Sequence, residues 1–565
     1  MTALRGLGHA LAKPVRYAAL VAGVLPVLAL PAANLEFLAW FGLVPGLALM
    51  RAAPDAREAA VRGWWFGTGF LLAAMYWLAP ELGPALLLVA VLLGVLWAGV
   101  GAATWVLLRP PLSARRALAA LVVVPSCWLV IDWIRSWQGL GGPWAIIGVS
   151  QWQHPAILAL AAVGGVWLVS FAIVAANVGI LIALLAGRVA VRLTGVLATA
   201  VVIAAGPVAF ALTPAAPVAG HVTVALVQPG SQPSDAARTD ASLRLTASVI
   251  RPGHSDLGDL GLVVWGESSV GSALHSSPAT LARIEALSAA AGAEILVNQD
   301  SISGGKKSKV AVLVGPRGIT GEYVKTRLVP FGEYIPFRQA LGWLASISRA
   351  AYVNMTPGLG ARVLHAAVPG GPAGAPGHAG APGHAQAPGQ ALAIGPLICF
   401  ESAFPDMSRV DADRGARVIV YQTADSTFQG TWALAQHVSL GALRAAETGR
   451  PVVQAALTGD SAAFDARGRL LGWLGQNRRG VLLARLTLPP VTARTPYDRL
   501  GDVVPWIAVS IALTSGAAWS VRTGLPARLR RISWGRRRRR ASAAAHTDDP
   551  LETSVMVHEH NDSPS

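Results

Sequence analysis

Three side chains of this sequence have the types that acyl transfer needs. Glu267 follows the apolar run LVVWG (262–266), where a chain leaves the rim of a sheet. Cys399 follows a similar run, LAIGPLI (392–398). Lys325 lies in YVKTRLVPFGEYIPF, a segment dense in proline, glycine and aromatic residues. A carboxylate, an ammonium and a thiol supply a general base, a cation for a developing oxyanion and a nucleophile, and together they can move an acyl group through a thioester. A thiol with pKa about 8.5 is mostly protonated at neutral pH, and an adjacent base and cation are expected to raise its thiolate fraction. Each residue also has an ordinary structural reading: a small core residue for the cysteine, solvated surface for the glutamate and the lysine. The second cysteine, Cys127, sits in the apolar run VVVPSCWLV. It is far from Cys399 in the chain, so no disulfide framework is expected.

The elements around these residues read as an α/β layered domain. Short apolar runs occur at 222–228, 262–266, 294–298, 310–314, 392–398, 416–422 and 452–456, with a helix-like PATLARIEALSAAAG at 278–292. Strands that are apolar throughout, not in alternation, predict sheets covered on both faces. The stretch PGGPAGAPGHAGAPGHAQAPGQ (369–390) interrupts them. It is too poor in apolar side chains to build a core and reads as a flexible surface insertion. Its histidines are read as solvated linker residues, and no metal is expected.

The rest of the chain belongs to a bilayer. Of its 565 residues 53% are hydrophobic and only 13% charged, where soluble domains carry about 25% charged residues. Runs long enough to cross hydrocarbon are read near 15–32, 35–50, 63–79, 84–108, 117–135, 156–186 and 193–213, with an eighth near 503–521. With the N-terminus inside, the inner segments hold Arg5, Lys13 and Arg16, then Arg51, Arg57 and Arg62, then Arg109, Arg115 and Arg116, then Arg188 and Arg192. The tail adds Arg522, Arg528, Arg530, Arg531 and Arg536 to Arg540, whereas the short outer connections 33–34, 80–83 and 136–154 hold no lysine or arginine. This asymmetry orients the chain with both termini cytoplasmic. It also accounts for the net charge of +16 without nucleic acid, because a polybasic tail anchors beside anionic lipid. The expected organisation is a seven-helix membrane domain (1–214), an extracytoplasmic catalytic domain (215–500), a last transmembrane helix (501–522) and a basic, disordered tail (523–565).

Local sequence narrows the chemistry. WGES (265–268), YVKTRLVPFGEYIP (323–336) and ICFES (398–402) resemble the three catalytic motifs of the nitrilase superfamily. More narrowly they resemble its membrane-embedded branch, the apolipoprotein N-acyltransferases. RSWQGLGGPW with Ser150 and Gln151, VGGVWLVSF with Asn177, and TPYDRLGD (495–502) are similar to that family's remaining signatures. The resemblance implies a multi-span helical domain joined to an αββα sandwich. It makes Cys399 the nucleophile, Glu267 the general base and Lys325 the cation beside the oxyanion, with Glu333 and Glu401 supporting the site. It further implies a phospholipid acyl donor, diacylglyceryl apolipoproteins as acceptors, and no cofactor. The alternative is a membrane-tethered amidase using the same triad on a soluble amide, which has no need of the membrane signatures. A transporter would require several ionisable groups within its spans, and Asp132 is the main one here. Two departures from the family pattern stand out: Lys309-Val310 occupy the place of a usual Asn-Ser pair, and Ala424-Asp425-Ser426-Thr427-Phe428 replaces Asn-Asp-Ala-Trp-Phe. Both are read as affecting substrate loops and not the triad. His437, Arg444, Glu447, Gly449, Arg450 and Pro451 keep the pattern.

Overall fold

The computed structural model describes residues 2–250, 260–303, 305–343, 354–368 and 391–522. The insertion 369–390 and the tail 523–565 lie outside the described residues.

Two six-stranded mixed sheets form the layered domain. The first contains β1 (Gly220–Gln228), β2 (Leu260–Trp265), β3 (Glu294–Ser303), β4 (Lys306–Gly315), β5 (Gly318–Val324) and β12 (Gly480–Leu488), in the order β12-β1-β2-β3-β4-β5. The second contains β6 (Leu364–Ala366), β7 (Leu392–Ile398), β8 (Val418–Thr423), β9 (Val452–Ala456), β10 (Ser461–Phe464) and β11 (Leu470–Leu474), in the order β11-β10-β9-β8-β7-β6. In each sheet three parallel strands lie at the centre, β1-β2-β3 and β7-β8-β9, with antiparallel strands outside them. The seven apolar runs all became strands. The parallel ones are apolar throughout because both faces are covered. Val227, Val263, Trp265 and Ile295 form one cluster with Ile284 of helix Pro278–Ala291, while Leu226, Leu262, Val264 and Leu296 pack in a second with Ile394, Leu397 and Val420 of the other sheet. Each such side chain stabilises the fold by about 1.5–3 kcal/mol on burial. β5, β6, β10, β11 and β12 escaped the sequence reading because glycine and polar residues break up their apolar pattern, as in GITGEYV and LLGWL.

Five described helices have the length and apolarity to cross a bilayer: Ala85–Leu108 (with a short 3-10 turn inside it), Ala114–Arg135, Pro155–Leu185, Val189–Leu212 and Val503–Arg522. They match the last five expected spans. The first three expected spans differ. The first is helix Thr2–Val24 followed by a 3-10 turn, and the third is Ala56–Ala74, which carries Arg57, Glu58 and Arg62. The run at 35–50 is no continuous helix: a 3-10 turn, Glu36–Trp40, leads into the eight-residue helix Val44–Arg51. Backbone broken in this way inside an apolar bundle must find polar partners. Asn177 supplies them. Its Oδ1 accepts from Leu43 N at 2.9 Å, and its Nδ2 donates to Ala39 O at 2.8 Å and to Ile173 O at 2.9 Å.

Helix Pro155–Leu185 is itself kinked at Gly164 and Gly165. The φ of +71° at Gly165 favours glycine, and a Cβ there would stand 2.6 Å from the Tyr497 ring. The kink frees Val166 N, which donates to Glu447 Oε1 at 2.7 Å. Trp167 and Tyr497 both donate to Asp502 Oδ1, at 3.0 and 2.9 Å. Three sequence signatures far apart in the chain therefore meet at one junction between helices and sheets.

Candidate active site

Glu267 stands at the end of β2, brought against the second sheet by backbone contact. Its amide donates to Thr423 O at 3.1 Å, and Leu457 N donates to the same carbonyl at 2.8 Å. Gly266 makes this approach possible, since a Cβ there would lie 2.1 Å from Leu457 N. Lys325 follows β5, and its amide donates to Lys309 O at 2.9 Å. Its fully buried ammonium reaches Glu333 Oε1 at 2.7 Å and Glu267 Oε1 at 3.3 Å. Glu333 is held in turn, accepting from Val329 N at 2.9 Å.

Cys399 ends β7 and opens the 3-10 turn Cys399–Ala403. Its φ of +52° is left-handed, a conformation that costs a non-glycine residue about 1–3 kcal/mol and persists only where the surroundings enforce it. Glu401 does much of the enforcing. Its Oε2 accepts from Ile398 N at 2.7 Å, and its Oε1 from Tyr323 OH at 2.7 Å, Thr326 N at 2.7 Å and Arg327 N at 2.9 Å. Glu401 thus fastens the cysteine turn to the segment after Lys325. The Cys399 thiol lies near enough to Glu267 and Lys325 for both charges to act on it, and it keeps some solvent access within dense surroundings.

The electrostatics differ from the expectation of an enriched thiolate. Burial and the Glu267 charge push the thiol of Cys399 well up, and Lys325 offsets only part of this. Burial works against the Glu267 carboxylate too, but Lys309 and Lys325 outweigh it and hold Glu267 below its usual range. The Lys325 ammonium is held well above its usual range by Glu267 and Glu333 despite burial. At rest the pair is therefore thiol and carboxylate, which leaves Glu267 able to accept a proton. Glu401, pushed up by burial, is retained by its four donors.

Lys309 overturns one expectation. Its Nζ lies 3.5 Å from Glu267 Oε1 and 3.1 Å from Asp300 Oδ1, and it also donates to Ser268 Oγ. The departure therefore touches the triad's carboxylate and is not confined to a substrate loop. The pairing of Lys309 with Asp300 across β3 and β4 was not visible without strand register.

Asp425 and His437, noted above only for departing from or keeping the family pattern, also reach the site. His437 Nδ1 is 2.9 Å from Asp425 Oδ1, and its Nε2 is 3.1 Å from Cys399 O. One donor atom from each of Cys399, Asp425 and His437 lies within 4.8 Å of the others, and both ring nitrogens of His437 already have an oxygen partner. A loop from the helical region covers this corner: the Trp144 ring lies 5.6 Å from that of His437, and its Nε1 donates to Gln436 Oε1 at 2.7 Å. From the same loop Gln138 donates to Leu328 O at 2.8 Å. Two cavities, of about 370 and 440 Å³, flank Trp137 and the segment after Lys325.

Comparison with known proteins shows the family. Residues 22–179 match the family described as the apolipoprotein N-acyltransferase N-terminal domain, and residues 223–495 match carbon-nitrogen hydrolase. An apolipoprotein N-acyltransferase from Sinorhizobium medicae is 32% identical over 87% of this chain and 93% of its own length. The chain belongs to the apolipoprotein N-acyltransferase family. The Allorhizobium ampelinum member is 31% identical over 76% of this chain and 80% of its own, and the Geobacter metallireducens member 28% identical over 88% and 94%. A solved Saccharomyces cerevisiae member of branch 10 of the nitrilase superfamily aligns at 15% identity with a TM-score of 0.34, over 48% of this chain and 93% of its own. Like its family, the chain is a membrane protein and an acyltransferase, with a nitrilase-like domain of two sheets.

Proposed function

We propose that this chain transfers an acyl chain from the sn-1 position of a phospholipid, through a thioester on Cys399, to the α-amino group of the diacylglyceryl-cysteine of bacterial lipoproteins. The observation that carries the reading is the meeting of buried Glu267 and Lys325 with the part-buried Cys399 beside a loop of the apolar helical region. In the first half-reaction the Cys399 sulfur attacks the ester carbonyl as its proton passes to Glu267. Lys325 faces the oxyanion that forms, the kind of donor whose loss costs about 10²–10³ in rate. Collapse breaks the ester C–O bond, and Glu267 returns the proton to the departing lysophospholipid oxygen. In the second half the amine attacks the thioester, Glu267 accepts its proton, and the amide leaves as the thiol is restored. Glu333 and Glu401 support these steps, Glu333 by orienting Lys325 and Glu401 by holding the cysteine turn.

Both substrates are lipids, which is the reason to unite a hydrolase-type site with a membrane domain. We take 1–214 and 501–522 as the membrane parts, with eight crossings, and 215–500 as an extracytoplasmic catalytic domain. Purified protein given phospholipid alone should gain the mass of one acyl chain, and hydroxylamine should remove it. Adding a diacylglyceryl peptide should discharge the acyl group onto the peptide amine. Cys399→Ala should acquire no such mass, and near wild-type transfer by that variant would overturn the mechanism.

A further inference from the structure

The contacts of His437 fix its protonation. A backbone carbonyl only accepts hydrogen bonds, and so does an ionised carboxylate. Nε2 faces Cys399 O at 3.1 Å and Nδ1 faces Asp425 Oδ1 at 2.9 Å, so with Asp425 as a carboxylate both nitrogens carry hydrogen. His437 is therefore an imidazolium, buried at 3% exposure on helix Trp432–Thr448 and paired with Asp425 from the loop after β8. Its other contact is the carbonyl of the residue whose left-handed φ sets the direction of the thiol.

We propose that His437 is a positioning residue for acyl transfer: as an imidazolium held by Asp425, it anchors the Cys399 carbonyl and maintains the turn that aims the thiol at Glu267. The proposal rests on the reading of Cys399 as nucleophile given above. Groups facing the ring come from several elements. Asp425 and the more distant Glu267 are both negative and favour the charged ring, which burial disfavours. Trp144 covers one side, and the Cys399 carbonyl lies on the other edge. Attraction prevails, and the ring is held above the usual histidine range. Glu401 fixes the turn from Ile398 N, one peptide before Cys399, and His437 fixes it at Cys399 O. The two contacts bracket the nucleophile.

Acylation by phospholipid alone tests this, because the amine acceptor then adds no titration of its own. His437→Ala should lower the acylation rate about tenfold to a hundredfold, the scale of one charge-assisted hydrogen bond, with little change in the phospholipid concentration giving half-maximal rate. His437→Gln, which keeps a donor for the Cys399 carbonyl, should recover part of the loss. Asp425→Asn removes the negative partner and should move the alkaline limb of the acylation profile to lower pH. Nitrogen-15 spectra of histidine-labelled protein, assigned by difference from His437→Gln, should show both ring nitrogens protonated at pH 7. A neutral-imidazole signal there would overturn the proposal, as would His437→Ala acylating at the wild-type rate. Failure of the Cys399 reading would be separate, showing as transfer by Cys399→Ala, whatever the state of His437.

Discussion

Glu267 shares its site with two ammonium groups, Lys325 at 3.3 Å and Lys309 at 3.5 Å from the same oxygen. Both favour its charged form, so its proton is lost at a lower pH than is usual for glutamate. The proposed mechanism requires the carboxylate as base, so activity should fall as pH drops through this lowered value. Lys309→Met keeps most of the stem and removes one cation. The pKa of Glu267 should then rise, moving the acidic limb of kcat/KM for acylation to higher pH. The sign for stability agrees: the depressed carboxylate contributes stability present above its unfolded pKa and lost as pH falls through its folded one. Removing Lys309 should shrink that contribution. An acidic limb that stays in place in Lys309→Met would show that Lys309 does not act on the base.

At the scale of elements, the site depends on how closely two sheets approach. β2 carries Glu267 in one sheet and β7 carries Cys399 in the other, and they meet because nothing projects from Gly266 toward Leu457. In Gly266→Ala the new methyl group would meet backbone, which cannot rotate away as a flexible side chain would. The variant should lose about 1–3 kcal/mol of stability, the usual cost of overpacking, and should acylate more slowly because the Glu267 amide loses its register with Thr423. Gly99→Ala is the control, since a Cβ there meets nothing within 4 Å and alanine gains about 0.5–1 kcal/mol over glycine within a helix. Thermal unfolding of the two variants in the same detergent separates them. Equal midpoints would mean that the sheets can part at Gly266 without cost.

The whole molecule couples its helical region to its chemistry through a short series of contacts. Arg135 closes helix Ala114–Arg135 and donates to Trp144 O at 2.6 Å. Trp144 covers His437, and His437 holds the carbonyl of Cys399. Removing the helical region would therefore uncover the imidazole that contacts the Cys399 carbonyl. Orientation is the other property at this scale. The basic residues of the inner segments and tail predict both termini inside and 215–500 outside. Reporter fusions within 369–390 and after residue 540 should report opposite sides of the membrane. The same side for both would refute eight crossings.

Much of this was legible in the residues themselves. Glu267, Lys325 and Cys399 stand out because each sits in a local motif, and strands covered on both faces must be apolar along their whole length. Helices surrounded by lipid are likewise apolar throughout, so the five long spans are plain in composition. The run at 35–50 reads as a span by the same rule, but its backbone breaks, and Asn177, some 135 residues away in the chain, with Gln151 on Glu36 O, helps make that break tolerable. Lys309 looked peripheral because strand pairing, not sequence distance, sets it beside Asp300 and Glu267. The protonation of His437 had no sequence signal at all. It follows from two acceptors contributed by different loops, and only the folded chain brings a carbonyl and a carboxylate to opposite edges of one ring.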